Sequence, residues 1–388
     1  MNPKTKIVCL ITFDYELFLG RNFGPPDTIL FEPTRKILDI CDQVNVPTTF
    51  FADVCSVWAH RNNGCDSYAD AFEKQLQEIV STGHDVGLHI HPHWLFTTFV
   101  GGQWQISTER MYLHELGFGT HDHSAEETVR KGVNYLNELL GKQDTQYRCT
   151  AFRAAGLALQ PQEKEIVRVL LDCGIRVDSS VAKNLRLNMD TVTIDYSRTP
   201  KNANWFLSPE TGIENGNRSG IFEVPVATFQ MGFLERTGFM ARRIRSAGKL
   251  RGSVISRSPK QSRLTSLYSL LLLNLRYLFW NPYYLLSCDT KGMTLDLLLK
   301  GFDSYLQLHD DEVMYVSMIN HPKLMFDEQV QLLGDFVRET RQRYGSEVSF
   351  QTFRQVAADC DCTQDLLKSS EISTNATRNN LEVYEGAL

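Results

Sequence analysis

The feature that most constrains the fold is a regular alternation of short apolar runs with stretches of helical periodicity. Three runs rich in β-branched residues lie at Ile7–Thr12, Val46–Ala52 and Asp85–Ile90. Between them, Pro33–Gln43 and Tyr68–Ser81 have apolar residues spaced as on one face of a helix. This order is typical of repeated β-α units, in which helices cover parallel strands.

The alternation continues through most of the chain. Further helices are predicted at Ala125–Leu140, Gln162–Cys173, Thr294–Leu308 and Asp327–Tyr344, and further strands at Cys149–Phe152, Ile175–Val177, Gly220–Val226 and Val313–Ile319. About seven β-α units result, which predicts one main α/β domain over residues 1–367. The polar tail at residues 368–388 lacks an apolar period and is expected to be disordered.

The hydrophobic content, the net charge and the cysteines of the chain exclude some classes of function. Hydrophobic residues make up 42% of the 388 residues, enough for a large core, and the net charge of -6 predicts no binding of nucleic acid. The nine scattered cysteines include no metal-type pair and indicate reduced thiols. Because Asp14 and Glu16 interrupt the first apolar run, no signal peptide is expected, and we predict a cytoplasmic location.

A cluster of histidines is the strongest chemical signal. Four of the ten histidines lie within ten residues, at positions 84, 89, 91 and 93. A lone histidine is more often a structural residue, but four together indicate a metal site. His89 and His93 are four apart and could reach one ion if a turn follows the strand, as Pro92 suggests, with His91 pointing away.

Two carboxylates follow the first predicted strand. Asp14 and Glu16 are alternate residues, so an extended backbone directs both to the same side. One could bind a cation while the other serves as a base. The residue pattern alone leaves both assignments open.

These motifs resemble those of the polysaccharide deacetylases that share the chitooligosaccharide deacetylase homology domain, over residues 6–358. The resemblance implies an irregular (β/α)7 barrel. Thr12, Phe13 and Asp14 match the start of the family's Thr-Phe-Asp-Asp-Gly motif, but Tyr15 replaces the metal-binding Asp. Asp14 is therefore assigned as the base and Glu16 as the ligand, with the reverse assignment left open.

Other motifs carry further roles by resemblance. His89 and His93 match the family's paired histidine ligands, and Gly83–Gly87 resembles the segment before them, which implies a structural role for His84. Arg153 would tether the base, and the amide of Gly156 would hold the oxyanion, although the proline and aromatic residue of that motif are missing.

The last motif supplies the proton donor. Asn320 and His321 follow an apolar run, as in the family's Leu-x-His motif, so His321 is predicted to be the general acid. Asp178 is predicted to orient its imidazole. Tyr15 and Trp94 are expected to contact the substrate.

The activity implied is metal-dependent removal of an N-acyl group, most simply acetyl, from an amino sugar or sugar precursor used in surface polysaccharide synthesis. A divalent cation held by Glu16, His89 and His93 is expected, with Zn²⁺ the best match to such a ligand set. The alternatives are a deformylase or O-esterase acting on a lipid-linked or nucleotide-linked sugar, or a non-catalytic, metal-bearing carbohydrate-binding protein.

An insert at about residues 236–290 differs from the acidic remainder. Eight Lys or Arg and no acidic residue lie within Arg242–Arg263, and the apolar stretch Leu264–Leu286 follows. A solvated loop followed by a core helix is slightly favoured. The alternative is a peripheral contact of residues 242–286 with an anionic inner membrane surface. Asn274 and Arg276 interrupt the apolar stretch and disfavour a transmembrane helix.

Overall fold

The computed structural model describes residues 5–17, 24–188, 191–216, 219–249 and 283–360. The strands are β1 (Lys6–Tyr15), β2 (Thr49–Asp53), β3 (Asp85–Ile90), β4 (Thr98–Val100), β5 (Gln103–Gln105), β6 (Ala151–Ala154), β7 (Val177–Asp178), β8 (Arg186–Asn188), β9 (Thr193–Asp195), β10 (Trp205–Leu207), β11 (Ile221–Glu223), β12 (Thr228–Gln230), β13 (Tyr283–Leu285), β14 (Val313–Asn320) and β15 (Val348–Phe350). The α-helices are α1 (Glu32–Gln43), α2 (Val54–Asn62), α3 (Asp66–Ser81), α4 (Ala125–Leu140), α5 (Glu163–Asp172), α6 (Phe233–Lys249), α7 (Leu295–Gln307) and α8 (Asp327–Tyr344).

Parallel strands form the centre of the molecule. The main sheet has the order β10-β11-β7-β6-β3-β2-β1-β14, and β15 pairs with the start of β1. Strands β1, β2, β3, β6, β7, β11 and β14 are parallel to one another, whereas β10 runs antiparallel to β11. Nine of the ten residues of β1 are buried, as expected of a strand covered on both faces.

The sheet closes on itself through a short irregular contact. Val226, just after β11, forms parallel bridges with Ala182 and with Ser317 of β14. The N–H of Ala227 donates to the carbonyl of Ser317 at 2.9 Å, which strengthens this junction. Seven parallel strands thus surround one interior, and the predicted α/β fold, an irregular (β/α)7 barrel, is confirmed.

The domain limits stay partly a prediction. One sheet contains strands from Lys6 to Phe350, within the predicted domain of residues 1–367. The tail at residues 368–388 and most of the insert, residues 250–282, lie outside the described residues. On either side of that gap, α6 and β13 are described. Among the described helices, none combines the length and the apolar character that crossing a membrane requires.

Candidate metal centre and active site

Ionisable side chains gather where the parallel strands end. Asp14 lies in β1 and Glu16 directly after it, His89 lies in β3, Arg153 in β6, and His321 directly follows β14. Because neighbouring parallel strands share one direction, their carboxyl ends meet at one mouth of the barrel. The predicted clustering of charged groups at strand ends is therefore present in the fold.

Three buried side chains form a group that could hold a cation. The ligand atoms of Glu16, His89 and His91 all lie within 4.8 Å of one another. The Nε2 atom of His89 lies 3.2 Å from Glu16 Oε2 and 3.0 Å from Nε2 of His91, and His91 Nε2 also contacts Glu16 Oε2. One carboxylate oxygen and two imidazole nitrogens thus point at a shared space.

His91, and not His93, supplies the second imidazole of this group. The sequence prediction required a helical turn from His89 to His93, but β3 continues to Ile90 and His91 keeps an extended backbone with φ -107° and ψ 91°. Alternate residues of an extended segment face the same side. Pro92 then begins a 3-10 turn that carries His93 away, so the predicted orientation of His91 is corrected.

His93 is buried in an aromatic cluster instead. Its ring packs against those of His91 and Trp94, and neither ring nitrogen has a hydrogen-bond partner within the described part of the chain. Burial, followed by the nearby imidazole of His91, lowers the pKa of His93 to about 3. His93 is therefore neutral at physiological pH.

The hydrogen bonds of His89 fit a metal ligand. Its Nδ1 lies 2.7 Å from the carbonyl oxygen of Arg153, which assigns the Nδ1–H tautomer and leaves the lone pair of Nε2 directed at Glu16. Two imidazoles and one carboxylate are a common donor set for Zn²⁺ and similar ions. Three protein ligands also leave positions open, as in a catalytic site.

The carboxylate of Asp53 contacts the backbone of His91. Its Oδ1 accepts a hydrogen bond from the backbone N–H of His91 at 3.1 Å. Asp53 Oδ2 and His91 Nδ1 are both buried without a hydrogen-bond partner among the residues described. Carboxylates commonly orient ligating histidines, so Asp53, at the exit of β2, is a functional candidate that the sequence analysis overlooked.

Arg153 holds Asp14 beside the cation group. Its Nη1 donates to Asp14 Oδ1 at 2.7 Å and to the hydroxyl of Thr12 at 2.8 Å. Burial alone would raise the pKa of Asp14, but the Arg153 guanidinium, with His89 and His321, outweighs burial and lowers it. Asp14 is thus an ionised carboxylate outside the three-ligand group, as its predicted role as a base requires.

His321 faces Asp14 and is oriented by Asp289, not by Asp178. Its Nδ1 donates to Asp289 Oδ2 at 2.7 Å, and its Nε2 lies 3.6 Å from Asp14 Oδ2. Asp178 instead accepts hydrogen bonds from the hydroxyl and the backbone N–H of Ser180. The predicted pairing of Asp178 with His321 is therefore corrected, because the chain returning from β13 delivers Asp289 to the imidazole.

Lys323 is a second residue that sequence reasoning missed. Its ammonium group donates to Glu16 Oε1 at 2.6 Å and to the carbonyl of Leu17 at 3.0 Å. The other oxygen of Glu16 therefore faces His89 and His91. Burial would raise the pKa of Glu16, but Lys323 and then His91 hold it well below its usual range.

The three predicted substrate contacts have different positions. Tyr15 alternates with Asp14 and points into the core, where its hydroxyl donates to Gln75 Oε1 at 2.6 Å. Trp94 is 1% exposed and packs against His60, His93 and Trp104. Both assignments are corrected to packing roles. Gly156 is exposed directly after β6 with φ +59°, and its role stays a prediction.

Binding of a cation should release a proton. Burial lowers the pKa of His89, but the hydrogen bond with Glu16 and the nearby carboxylates raise it to about 9. Since a ligand must be neutral, we expect about one proton to be released per cation at pH 7, and the affinity to fall about tenfold per pH unit below 9. Calorimetry in buffers of different ionisation enthalpy measures the number of protons released per bound cation. The same number at pH 7 and at pH 10 would contradict the prediction.

Comparison with known proteins gives structural likenesses only. No protein-family model matches the chain, and no curated protein matches it. A structure described as a polysaccharide deacetylase from Mycobacterium smegmatis is 14% identical, with a TM-score of 0.46 and coverage of 94% of this chain and 93% of that one. The peptidoglycan N-acetylglucosamine deacetylase Bc1960 is 13% identical, with a TM-score of 0.35 and coverage of 91% and 89%.

A third similar structure has a different activity. The 4-alpha-glucanotransferase of Thermococcus litoralis is 11% identical, with a TM-score of 0.44 and coverage of 90% of this chain and 40% of that one. Polysaccharide deacetylases are thus among the solved structures that this chain is similar to. With all three TM-scores below 0.5, the assignment of function rests on the geometry of the site.

Proposed function

We propose that the protein is a metal-dependent hydrolase that removes an N-acyl group, most simply acetyl, from an amino sugar. The observation that carries this proposal is the arrangement of two acid-base groups around one ligand set. Asp14 and His321 face each other, with 3.6 Å between Oδ2 and Nε2, beside the group formed by Glu16, His89 and His91. A binding protein would require the ligand set alone.

The chain's own residues supply the proton transfers of amide hydrolysis. Asp14, held ionised by Arg153, can accept a proton from the attacking water. As the C–O bond forms and the C–N bond breaks, His321 can donate a proton to the leaving nitrogen. The products are a carboxylate and a free amino sugar. The exposed turn at Gly156 is the proposed site of backbone contact with the acyl oxygen.

Glu16, His89 and His91 are proposed to hold the divalent cation, with zinc as the first candidate. When bound, such a cation supplies Lewis-acid activation of water and of the acyl carbonyl. The separation of roles between Glu16 and Asp14 has geometric support. Glu16 contacts both imidazoles, whereas Asp14 contacts Arg153. His321 Nε2 does not separate them, since it lies 3.6 Å from Asp14 Oδ2 and 3.8 Å from Glu16 Oε1. We therefore keep Asp14 as the base.

The proposal is tested by metal removal together with one conservative variant. Chelation should abolish release of acetate from N-acetylated amino sugars, and Zn²⁺ should restore it. Asp14→Asn keeps an oxygen that can accept from Arg153 but cannot take up a proton, so we expect kcat to fall about 10²–10⁴-fold while the metal content is unchanged. Mass spectrometry of the sugars and metal analysis of the protein measure these effects.

Activity that persists in metal-free protein, or full activity of Asp14→Asn, would rule out this mechanism. Parallel trials with N-formylated and O-acetylated sugars test the two related activities, because all three acyl groups require the same water, acid and base. Absence of turnover on every acyl sugar, with binding of the intact sugar, would favour the carbohydrate-binding alternative.

The role of Asp289 predicts a shift in the pH dependence. Burial lowers the pKa of His321, but the hydrogen bond to Asp289 and its charge outweigh burial and raise it. A general acid must be protonated, so activity falls as the pH rises through this pKa. Asp289→Asn removes the carboxylate and should move the alkaline limb of the kcat profile to lower pH.

A matched control separates the two candidate partners of His321. Asp178→Asn changes another buried carboxylate, 0% exposed against 6% for Asp289, that contacts Ser180, so we expect it to leave the alkaline limb in place. Partial unfolding of a variant lowers its total activity but does not change the pH at which the alkaline limb falls. If Asp178→Asn moves the limb and Asp289→Asn does not, the original assignment from the sequence holds.

A further inference from the structure

The outer face of α6 is apolar although it is exposed. Phe233, Leu234 and Ile244 are 56%, 82% and 59% exposed. At about 100° of rotation per residue, all three fall within a sector of about 100°. The exposed Ala241 and Thr237 lie between them, and the hydroxyl of Thr237 donates to the carbonyl of Leu234. Of the seven large hydrophobic side chains exposed in the described part of the chain, three are therefore on one face of one helix.

The opposite face of α6 anchors the helix to the barrel. Phe239 is buried on this face, and its ring packs against that of Tyr284 in β13. Met240 is buried at the edge of the outer sector, next to Phe233. Arg242 Nε donates to the carbonyl of Gly292 at 2.9 Å. The helix thus has its own core contacts, and its outer apolar residues are not required for them.

After Glu235, which pairs with Lys300, the sequence of α6 and of the segment that follows carries only positive charge. From Arg236 to Cys288 the chain contains ten Lys or Arg and no Asp or Glu, while the remainder has 30 Lys and Arg against all 46 Asp and Glu. Arg245 is exposed on the same helix, one residue after Ile244. Apolar side chains flanked by basic ones are the pattern of a helix that lies in the interface of an anionic membrane.

We propose that the outer face of α6 docks on the surface of a lipid bilayer that carries anionic headgroups. Phe233, Leu234 and Ile244 enter the boundary between headgroups and acyl chains, and the basic residues meet the lipid phosphates. A second copy of the chain would bury the same apolar face but would bring two positive segments together. Nucleic acid would match the charge but would leave the apolar side chains in water.

The position of α6 links this surface to the mouth of the barrel. The helix follows β12, and the chain returns through β13 to Asp289, the hydrogen-bond partner of His321. The carbonyl of Leu286 also accepts from the N–H of Ile319 in β14 at 3.2 Å. Docking would thus attach the protein to the membrane through an element that the chain connects to the proposed active site, and it does not depend on the proposed activity.

The test uses the full-length protein and vesicles of defined lipids. Flotation should show binding to phosphatidylcholine vesicles that contain about 30% phosphatidylglycerol, weaker binding without the anionic lipid, and loss of binding at high salt. Replacing Phe233, Leu234 and Ile244 together by Ser should weaken partitioning at least about tenfold. The matched control replaces Val100, Leu308 and Phe326 by Ser, because these exposed apolar residues lie elsewhere.

Three results would overturn the proposal: no binding to anionic vesicles, equal binding by the two triple variants, or concentration-dependent dimers that the α6 variant abolishes. The last result would assign the face to a second copy. Thermal unfolding checks that both variants fold. If the α6 triple variant does not, Leu234→Ser replaces it, since this is the most exposed of the three side chains, and unchanged partitioning of that variant would also count against docking.

Discussion

His91→Gln is expected to lose its divalent cation, whereas His93→Gln should retain it. His91 Nε2 contacts Glu16 Oε2 and lies 3.0 Å from His89 Nε2, so its loss removes one of three converging ligands. Loss of a ligand should weaken binding by more than the roughly 10–100-fold typical of an outer-shell partner. Metal analysis after dialysis against a weak chelator measures the difference between the variants.

The His93 variant is a matched control because the same substitution is made two residues away. His93 is buried among His91 and Trp94, so its replacement should lower the free energy of unfolding rather than the metal content. Retention of metal by His91→Gln and its loss in His93→Gln would show that the turn after β3 rearranges when the cation binds. In that case the four-residue spacing of the family motif would describe the loaded site.

Periodicity was sufficient to predict most of the barrel. The helix predicted at Ala125–Leu140 coincides with α4, and the one predicted at Asp327–Tyr344 coincides with α8. These helices have one buried and one exposed face, which produces the helical period of apolar residues in the sequence. Helix α2 was missed because its first seven residues, from Val54 to His60, are all buried, so no amphipathic pattern marks it.

The candidate site was predictable where backbone geometry decides it. Alternation along β1 predicts that Asp14 and Glu16 lie on one side, as they do in the structure. The same alternation would have paired His89 with His91, but the sequence prediction placed a turn after Ile90, where the backbone in fact stays extended. Asp289 had no such signal. It lies 32 residues before His321, and only the return of the chain from β13 brings the two together.

The ion pair of Lys323 with Glu16 could not be predicted from the charges in the sequence. The sequence places it two residues after His321, where an exposed lysine would be unremarkable. In the structure its side chain is 8% exposed, and its ammonium group pairs with Glu16. A positive charge beside a proposed ligand opposes cation binding, yet it also fixes which oxygen of Glu16 faces the imidazoles. Both effects depend on a distance that no spacing in the sequence encodes.

Arg153→Met should cause the largest loss of stability, about 3–5 kcal/mol, because it leaves a buried charge without its partner. The arginine is fully buried and donates to the carboxylate of Asp14, the hydroxyls of Thr12 and Ser317, and both the carbonyl and the hydroxyl of Ser179. Its guanidinium also lies 4.2 Å from the centre of the Phe51 ring. Methionine can fill part of the volume but satisfies none of these groups.

The pH dependence and a double variant separate charge from packing. In the wild type, the lowered pKa of Asp14 contributes stability at neutral pH that is lost as the pH falls through that pKa. Without Arg153, burial should raise the pKa of Asp14, so Arg153→Met should lose stability as the pH rises above the ordinary range of a carboxyl group. Its deficit against the wild type should therefore be larger at pH 7 than at pH 4. Urea unfolding at both values measures this.

Adding Asp14→Asn to Arg153→Met removes the unpaired charge, so the double variant should be more stable than the sum of the single effects at pH 7. If the single losses add, or if the deficit of Arg153→Met is the same at both pH values, packing around Phe51 accounts for the stability instead. The ion pair would then serve to hold Asp14 in its ionised state and not to stabilise the barrel.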